Sequence, residues 1–289
     1  MSTFSNRDEL RLALPKGRMQ DAVFTLLADA GLPVHVGPRA YRPGFSLPNT
    51  EVKLLKPQSI VEMLHAGSRD VGFAGADWVA ELGADVVELL DTGCDPVRVV
   101  AAAPAGLAES LAARSIVVAS EYERLTLAWV QERGLDARFV RSYGATEVFP
   151  PEDADCIVDN ASTGATLVVN GLVIIDELML SSTRLYASRA ALDQPSLRAR
   201  IEDLALLVGS VIEARKRVML ELNVSAAQLE AVIAVLPCMR EATIAPLHGD
   251  AGFAVRAAVP RSELSRIVPA VKLRGGTDVV VFSPAQIVP

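Results

Sequence analysis

The chain has 289 residues, of which 51% are hydrophobic and 22% charged, and its formal net charge is −7. This length allows two or three domains with sizeable cores. The acidic balance disfavours nonspecific binding to nucleic acid or to anionic membranes. The three cysteines are scattered, which favours reduced thiols in the cytoplasm over a disulfide framework. Residues 1–11 are polar and the longest apolar run, 204–212, is short, so we expect no signal peptide and no membrane span.

Strands and helices alternate through the first two thirds of the sequence. A buried strand at 10–14 leads through a polar turn into a helix that ends near residue 31. Further strands are predicted at 52–55, 70–75, 86–90, 97–103, 115–119, 137–141, 156–159 and 171–184, and a long helix at 196–216. This alternation is typical of parallel sheets covered by helices. The polar segment 91–95 interrupts the pattern and favours two sheets rather than one.

The pattern changes from residue 217 onward. Strands are predicted at 218–223, 242–246, 252–259 and 278–282, and helices at 225–236 and 262–273. The order β-α-β-β-α-β is that of a ferredoxin-like domain. This part of the chain carries no obvious catalytic cluster, and we interpret it as a regulatory or oligomerisation module.

The segment 155–167 carries the strongest signal for chemistry. A strand that ends at Asp159 opens into Ser162-Thr163-Gly164-Ala165-Thr166 at the start of a helix. Backbone N–H groups at a helix start have no internal partner and bind anions, and hydroxyl groups add further donors. The Asp159 carboxylate suits ribose hydroxyls, or a Mg²⁺ ion that carries phosphate. The segment therefore predicts a sugar-phosphate site, although an ordinary helix cap after a strand would look similar.

Two further turns place charged residues at the carboxyl ends of predicted strands, where open α/β sheets bind ligands. Lys16 and Arg18 lie between an apolar strand and a helix start, which favours neutralisation of a polyanion over simple solvation. Asp77 follows the glycine turn after the strand at 70–75. It fits a contact to a sugar or base, and equally the N-cap of a helix that begins near Trp78.

Four stretches, in the same order along the chain, resemble the long form of ATP phosphoribosyltransferase. They are Leu12–Arg18, Asp70–Asp77, Asp155–Leu172 and Thr243–Leu247 with the closing Gly275–Val279. The resemblance implies two α/β lobes around a cleft, like a periplasmic binding protein, and a C-terminal ferredoxin-like (ACT/PII-like) regulatory domain. It implies lobe I at 1–92 and 178–214, lobe II at 93–177, and the regulatory domain at 215–289.

The resemblance also implies the reaction. Family members transfer phosphoribosyl from phosphoribosyl pyrophosphate (PRPP) to N1 of ATP with Mg²⁺, release pyrophosphate, and catalyse the first step of histidine biosynthesis. The long form assembles as dimers and hexamers, and histidine inhibits it. We expect no nucleic-acid or membrane partner.

Residue roles follow from the matching positions. The 5-phosphate of PRPP is expected on the loop residues Ser162, Thr163, Gly164, Ala165 and Thr166. Asp159 is assigned to the ribose hydroxyls, and Lys16 and Arg18 to the pyrophosphate or triphosphate. Other substrate contacts are assigned to Asp77, Arg98 and Glu147, and the histidine contacts to Glu221 and Thr243. No residue is assigned as a metal ligand.

Three alternatives remain open from the sequence. A noncatalytic two-lobed sensor of small molecules would share the fold. The segment Gly93–Arg98 departs from the family pattern, which leaves a phosphoribosyltransferase with another nitrogen acceptor possible. The third alternative is an enzyme that does not respond to histidine.

Overall fold

A computed structural model of the chain describes residues 8–37, 41–108 and 111–289. The chain divides into two compact units, one formed by Met1–Thr25 with Pro33–Ala205 and the other by Leu26–Leu32 with Leu206–Pro289. The boundaries of the lobes and of the regulatory domain stay predictions. Residues 1–7, which belong to the polar segment that argued against a signal peptide, lie outside the described residues.

Eight strands of the first unit form one mixed sheet in the order β4-β1-β5-β10-β6-β9-β7-β8. A separate short pair is formed by β2 and β3. The strands are β1 (Leu10–Pro15), β2 (Val34–His35), β3 (Gly44–Phe45), β4 (Thr50–Leu55), β5 (Val71–Gly75), β6 (Val86–Pro104), β7 (Ile116–Ser120), β8 (Ala137–Arg141), β9 (Cys156–Ala161) and β10 (Leu172–Ser188).

The sheet contains two parallel groups of strands. We call β4, β1 and β5 the first group and β9, β7 and β8 the second group. The long strands β6 and β10 lie between them and pair antiparallel with each other and with the neighbouring groups. The parallel pairing predicted from the alternation is therefore confirmed within each group.

The predicted break at 91–95 is wrong as a division into two sheets. Strand β6 continues from Val86 to Pro104 and stays paired with β10, with register shifts around Thr183. Gly93 and Asp95 have positive φ angles of 65° and 47°. These polar residues therefore mark local irregularities inside a continuous strand, because left-handed backbone at single positions bends a strand without ending its pairing.

Both units contain α-helices. The helices are α1 (Gln20–Asp29), α2 (Pro57–His65), α3 (Ala76–Leu82), α4 (Glu123–Glu132), α5 (Ala165–Val169), α6 (Arg189–Leu192), α7 (Pro195–Lys216), α8 (Leu229–Ile233) and α9 (Leu264–Leu273). Helix α2 illustrates how the sequence determines the start of a helix and its buried face. Pro57 occupies its first turn, where a missing N–H costs nothing, and Ile60, Val61 and Leu64 form its buried face.

The second unit contains the predicted ferredoxin-like domain. Strands β11 (Arg217–Val224), β12 (Thr243–Pro246), β13 (Phe253–Pro260) and β14 (Thr277–Phe282) form a four-stranded sheet in the order β12-β13-β11-β14. Alternate residues of β11 are buried, so one face of the sheet packs on α8 and α9 residues such as Val232 and Ile267. The sequence prediction of β-α-β-β-α-β order is confirmed.

In the described part of the chain, no helix combines the length and apolarity that crossing a bilayer requires.

Candidate active site

Two adjoining cavities lie in the first unit, between the carboxyl ends of strands from both groups. The first, which we call the loop cavity, has a volume of about 380 Å³. It is lined by Arg18, Glu121, Gly144, Thr146, Glu147, Asp159, Asn160, Ala161, Ser162, Thr163, Gly164, Ala165, Thr166 and Leu167. The whole predicted phosphate loop therefore faces one cavity, together with Asp159 and Glu147.

The second cavity, which we call the turn cavity, has a volume of about 270 Å³. It is lined by Lys16, Arg18, Met19, Lys56, Pro57, Gln58, Gly75, Asp77, Trp78, Asp95, Val97, Glu121, Asn160, Ser181, Ser182 and Thr183. Arg18, Glu121 and Asn160 line both cavities. The two cavities thus share a wall of one cation, one carboxylate and one carboxamide.

The loop between β9 and α5 is built by a left-handed glycine. Gly164 has a φ of 78° and precedes the first helical residue, a conformation in which any side chain would be strained. The Oγ1 atom of Thr163 accepts a hydrogen bond from the N–H of Ala165 at 3.3 Å. Helix α5 has only five residues, so its dipole is small, and an anion bound here would depend on the N–H groups and hydroxyls of the loop.

Asp159 lies half-buried in β9, two residues before the strand ends at Ala161. Burial and the negative charges of Glu147 and Glu121 raise the pKa of this carboxyl to about 6, although hydrogen bonds from the Asn160 N–H and from Thr146 act in the opposite direction. The Asn160 N–H lies 2.7 Å from Oδ1 of Asp159. A carboxylate in this position can accept hydrogen bonds from hydroxyl groups, and a nearby cation would favour its charged form.

Lys16 and Arg18 lie in the turn between β1 and α1, which Gly17 permits with a φ of 86°. Both residues line the turn cavity, and Arg18 also lines the loop cavity. The Nζ atom of Lys16 lies 5.2 Å from the centroid of the Tyr41 ring. Neither cation is paired with a carboxylate of the described residues, so both are available to a polyanion.

Asp77 is buried in a network of hydroxyl groups. Its Oδ1 accepts a hydrogen bond from Oγ of Ser181 at 2.7 Å, and its Oδ2 accepts one from the hydroxyl of Tyr122 at 2.6 Å. The alternative of a helix N-cap is wrong, because α3 begins at Ala76 and Gly75 holds the cap position. Both carboxylate oxygens thus have protein partners, and substrate contact by Asp77 stays a prediction.

Tyr122 and Asn160 complete this network, and neither received a role from the sequence. The hydroxyl of Tyr122 accepts a hydrogen bond from Nδ2 of Asn160 at 3.1 Å. Burial and the charge of Asp77 raise the pKa of Tyr122 far above its usual range, so the phenol stays protonated and donates to Asp77. The signal for Asn160 was its position directly after Asp159. Tyr122 gave none, because a tyrosine after a strand is ordinary in sequence.

The remaining predicted substrate residues divide between the site and its surroundings. Glu147 lines the loop cavity. Arg98 lines neither of the two cavities; it pairs with Glu177 at 3.3 Å and borders a separate depression that Ser162 also lines. Substrate contact by Arg98 therefore has less geometric support than that by the other residues.

Comparison with known proteins decides the family. The family model described as ATP phosphoribosyltransferase matches residues 56–209, and the one described as HisG, C-terminal domain, matches residues 214–284. The ATP phosphoribosyltransferase of Pelotomaculum thermopropionicum is 34% identical over 97% of this chain and 100% of its own length. That of Chlorobium phaeovibrioides is 34% identical over 96% of this chain and 97% of its own length.

The chain belongs to the ATP phosphoribosyltransferase family. It is therefore a phosphoribosyl-transferring enzyme, and the alternative of a noncatalytic sensor is wrong. A solved ATP phosphoribosyltransferase (HisG:HisZ) complex from Thermotoga maritima has a similar fold, with a TM-score of 0.61 and 24% identity over 69% of this chain and 98% of that chain. The predicted two-lobed α/β fold with an added C-terminal domain is confirmed.

In this ATP phosphoribosyltransferase, the two predicted regulatory residues lie on the sheet of the second unit. Glu221 on β11 pairs with Arg256 at 2.5 Å, and Thr243 lies opposite Arg256 in the pairing of β12 with β13. Arg256 and Thr243 line a cavity of about 370 Å³. The predicted histidine contacts therefore cluster around one arginine beside a cavity.

Proposed function

We propose that this ATP phosphoribosyltransferase binds PRPP in the loop cavity and ATP in the turn cavity. The enzyme transfers the phosphoribosyl group of PRPP to N1 of ATP and releases pyrophosphate, which is the first step of histidine biosynthesis. The observation that carries the assignment is the wall of Arg18, Glu121 and Asn160 common to both cavities. A reaction between two bound substrates needs adjoining sites that bring the reacting atoms together.

The loop Ser162–Thr166 holds the 5-phosphate in this proposal. All five residues line the cavity, and the three that carry hydroxyls are exposed. The left-handed Gly164 lets the backbone approach the phosphate closely. Asp159, in the adjacent strand β9, binds the ribose hydroxyls. Its position on the cavity wall supports this role, because ribose hydroxyls bound in the cavity can donate hydrogen bonds to the half-buried carboxylate.

The chemistry needs oriented charge rather than a nucleophilic side chain. A bond forms between N1 of the adenine and the anomeric carbon while the bond from that carbon to the pyrophosphate oxygen breaks, and the leaving group takes the electron pair. Positive charge develops on the ribose and negative charge on the pyrophosphate, and Lys16 and Arg18 neutralise the latter. Adenine N1 already carries a lone pair, so the attack requires no strong base.

Magnesium fits the donors of the loop cavity. Mg²⁺ is commonly held by one or two carboxylates together with substrate phosphates, and the Asp159 and Glu147 carboxylates both line this cavity. The described residues contain no group of three or more metal-binding side chains, so PRPP would supply most of the ligands. The bound ion would balance the charge of the pyrophosphate group. Asp159 and Glu147 are the residues that would hold it.

Regulation by histidine is the finer part of the proposal. We place the effector in the second unit, where Glu221 can pair with its ammonium group and Thr243 can contribute a hydroxyl. The assembly into dimers or hexamers and the cytoplasmic location follow from the family resemblance and stay predictions.

The decisive assay mixes the purified enzyme with PRPP, ATP and Mg²⁺ and follows the ultraviolet absorbance of phosphoribosyl-ATP, with and without histidine. We expect turnover with ATP that histidine reduces. Turnover with another base but not with ATP would overturn the assignment of the acceptor. Unchanged rates at saturating histidine would overturn the regulatory part alone.

A further inference from the structure

A continuous series of hydrogen bonds connects residues that line the turn cavity with residues that line the loop cavity. It begins at Ser181 on β10, whose hydroxyl donates to Oδ1 of Asp77 at 2.7 Å. The other carboxylate oxygen of Asp77 accepts from Tyr122 at 2.6 Å, and the Tyr122 hydroxyl accepts from Nδ2 of Asn160 at 3.1 Å. The same Nδ2 lies 3.4 Å from Oδ1 of Asp159.

This series joins the two groups of strands. Asp77 lies in the first turn of α3, directly after β5 of the first group. Tyr122 follows β7 and Asn160 belongs to β9, both of the second group. The Tyr122 hydroxyl therefore connects Asp77, which follows the first group, to Asn160 on the strand that carries Asp159.

The packing around Tyr122 fixes its hydroxyl. The side chain is fully buried, and its ring centroid lies 4.8 Å from that of Trp78, a distance typical of aromatic pairs. The N–H of Tyr122 donates to Oγ of Ser120 at 2.8 Å, and this Oγ donates to the carbonyl of Val158. The phenol can therefore neither rotate away nor exchange its partners with water.

Asn160, in contrast, is exposed and lines both cavities. A carboxamide on a cavity wall is free to adopt several rotamers unless a partner selects one. The Tyr122 hydroxyl is that partner, because the bond from Nδ2 directs the second N–H of the amide towards Asp159. The bonds from Asn160 engage Oδ1 of Asp159, and Thr146 supplies a further hydrogen bond to this carboxyl.

We propose that Asn160 and Tyr122 are positioning residues that hold the Asp159 carboxylate in the orientation that binds the ribose of PRPP. This inference rests on the proposed role of Asp159. Neither residue reacts with a substrate. Tyr122 fixes Asn160, Asn160 fixes Asp159, and Asp77 with Ser181 anchors the series to the first group.

The test measures PRPP binding directly, by isothermal titration calorimetry with PRPP and Mg²⁺ in the absence of ATP. Asn160→Leu removes the amide at an exposed position, and Tyr122→Phe removes only the hydroxyl. We expect each change to raise the dissociation constant of PRPP about 3- to 10-fold, the range for loss of one hydrogen bond. The KM for ATP changes less, because the turn cavity keeps its cations.

The double variant Tyr122→Phe/Asn160→Leu separates a positioning role from a general loss of order in the site. If Tyr122 acts through Asn160, the double variant binds PRPP no more weakly than the weaker-binding single variant, since interacting residues give nonadditive effects. Tyr186→Phe is the matched control, because it makes the same change at another buried tyrosine. We expect it to leave PRPP binding within about 2-fold of wild type, the effect of a change outside the network.

The outcomes distinguish the positioning role of Tyr122 and Asn160 from the proposed role of Asp159 in binding ribose. Unchanged PRPP binding by Asn160→Leu and Tyr122→Phe, additive losses in the double variant, or an equal loss in Tyr186→Phe would each overturn the positioning role. Asp159→Asn is the reference. If it binds PRPP like wild type, the assignment of Asp159 itself fails; if it binds PRPP weakly while the other two variants do not, only the positioning role fails.

Discussion

At the scale of single residues, Thr166 tests the placement of the phosphate. Its hydroxyl belongs to the loop that lines the loop cavity, and a hydrogen bond to a charged group is worth about 1.5–3 kcal/mol. Thr166→Val keeps the shape and removes this donor. We expect the KM for PRPP to rise about 10- to 100-fold with little change in the KM for ATP. Thr166→Ser, which keeps the hydroxyl, is the control; an equal loss for both substrates would contradict the assignment.

Asp159 predicts a pH dependence. Because the pKa of its carboxyl is raised to about 6 by burial and by the charges of Glu147 and Glu121, the carboxylate gains a proton as the pH falls through that value. A protonated carboxyl is a poorer acceptor for ribose hydroxyls, so we expect the KM for PRPP to rise below about pH 6. Initial rates measured from pH 5 to pH 8 at several PRPP concentrations give the KM for PRPP at each pH and test this expectation.

Two variants make the pH experiment specific. Glu147→Gln removes one of the negative charges that raise the pKa of Asp159, so the rise in KM shifts to lower pH. Asp159→Asn abolishes the dependence, since an amide does not titrate in this range. An unchanged profile in Asp159→Asn would assign the titration to another group.

At the scale of elements, the loop between β9 and α5 depends on its glycine. Gly164 has a φ of 78°, and an added Cβ would meet only Cδ1 of Ile174 at 3.9 Å. Space is therefore available, and Gly164→Ala is disfavoured by backbone strain alone, at about 1–2 kcal/mol. We expect a lower melting temperature and a higher KM for PRPP. Gly106→Ala is the matched control, because Gly106 has no left-handed φ and open space around its Cα.

The same elements indicate how far the sequence could lead. The strands of the parallel groups were predictable, because apolar runs bounded by turns identify buried strands. The continuity of β6 was not predictable, since glycine and aspartate at positions 93 and 95 are residue types typical of a loop. Only the pairing with β10, which lies more than seventy residues later, keeps them in a strand.

Several residues that line the candidate site could be predicted from the sequence in the same way. The phosphate loop, Asp159, Lys16 and Arg18 combine residue types whose chemistry is local and visible in sequence. Tyr122 was not predictable, because its role comes from a hydrogen bond to a residue 45 positions earlier in the chain. A buried network of this kind is set by tertiary packing and leaves no spacing signal.

At the scale of the whole molecule, the proposed inhibition by histidine would link a ligand in the second unit to the reaction in the first. Glu221→Gln removes the charge that would pair with the histidine ammonium. We expect about 10-fold more histidine to be needed for half inhibition, the loss of one charge-assisted hydrogen bond. Glu230→Gln is the control, because Glu230 is another carboxylate of this unit, is exposed, and has no assigned contact. Equal inhibition of both variants and wild type would remove Glu221 from the effector site.

The continuity of β6 and β10 has a mechanical consequence for catalysis. Both passages between the strand groups are ladder-bonded ribbons instead of flexible connections. We expect any narrowing of the space between the two groups of strands to involve twisting of β6 and β10, most readily near Gly93 and Asp95, which depart from regular strand geometry. We therefore expect the stiffness of these two paired strands to influence how readily the enzyme admits PRPP and releases its products.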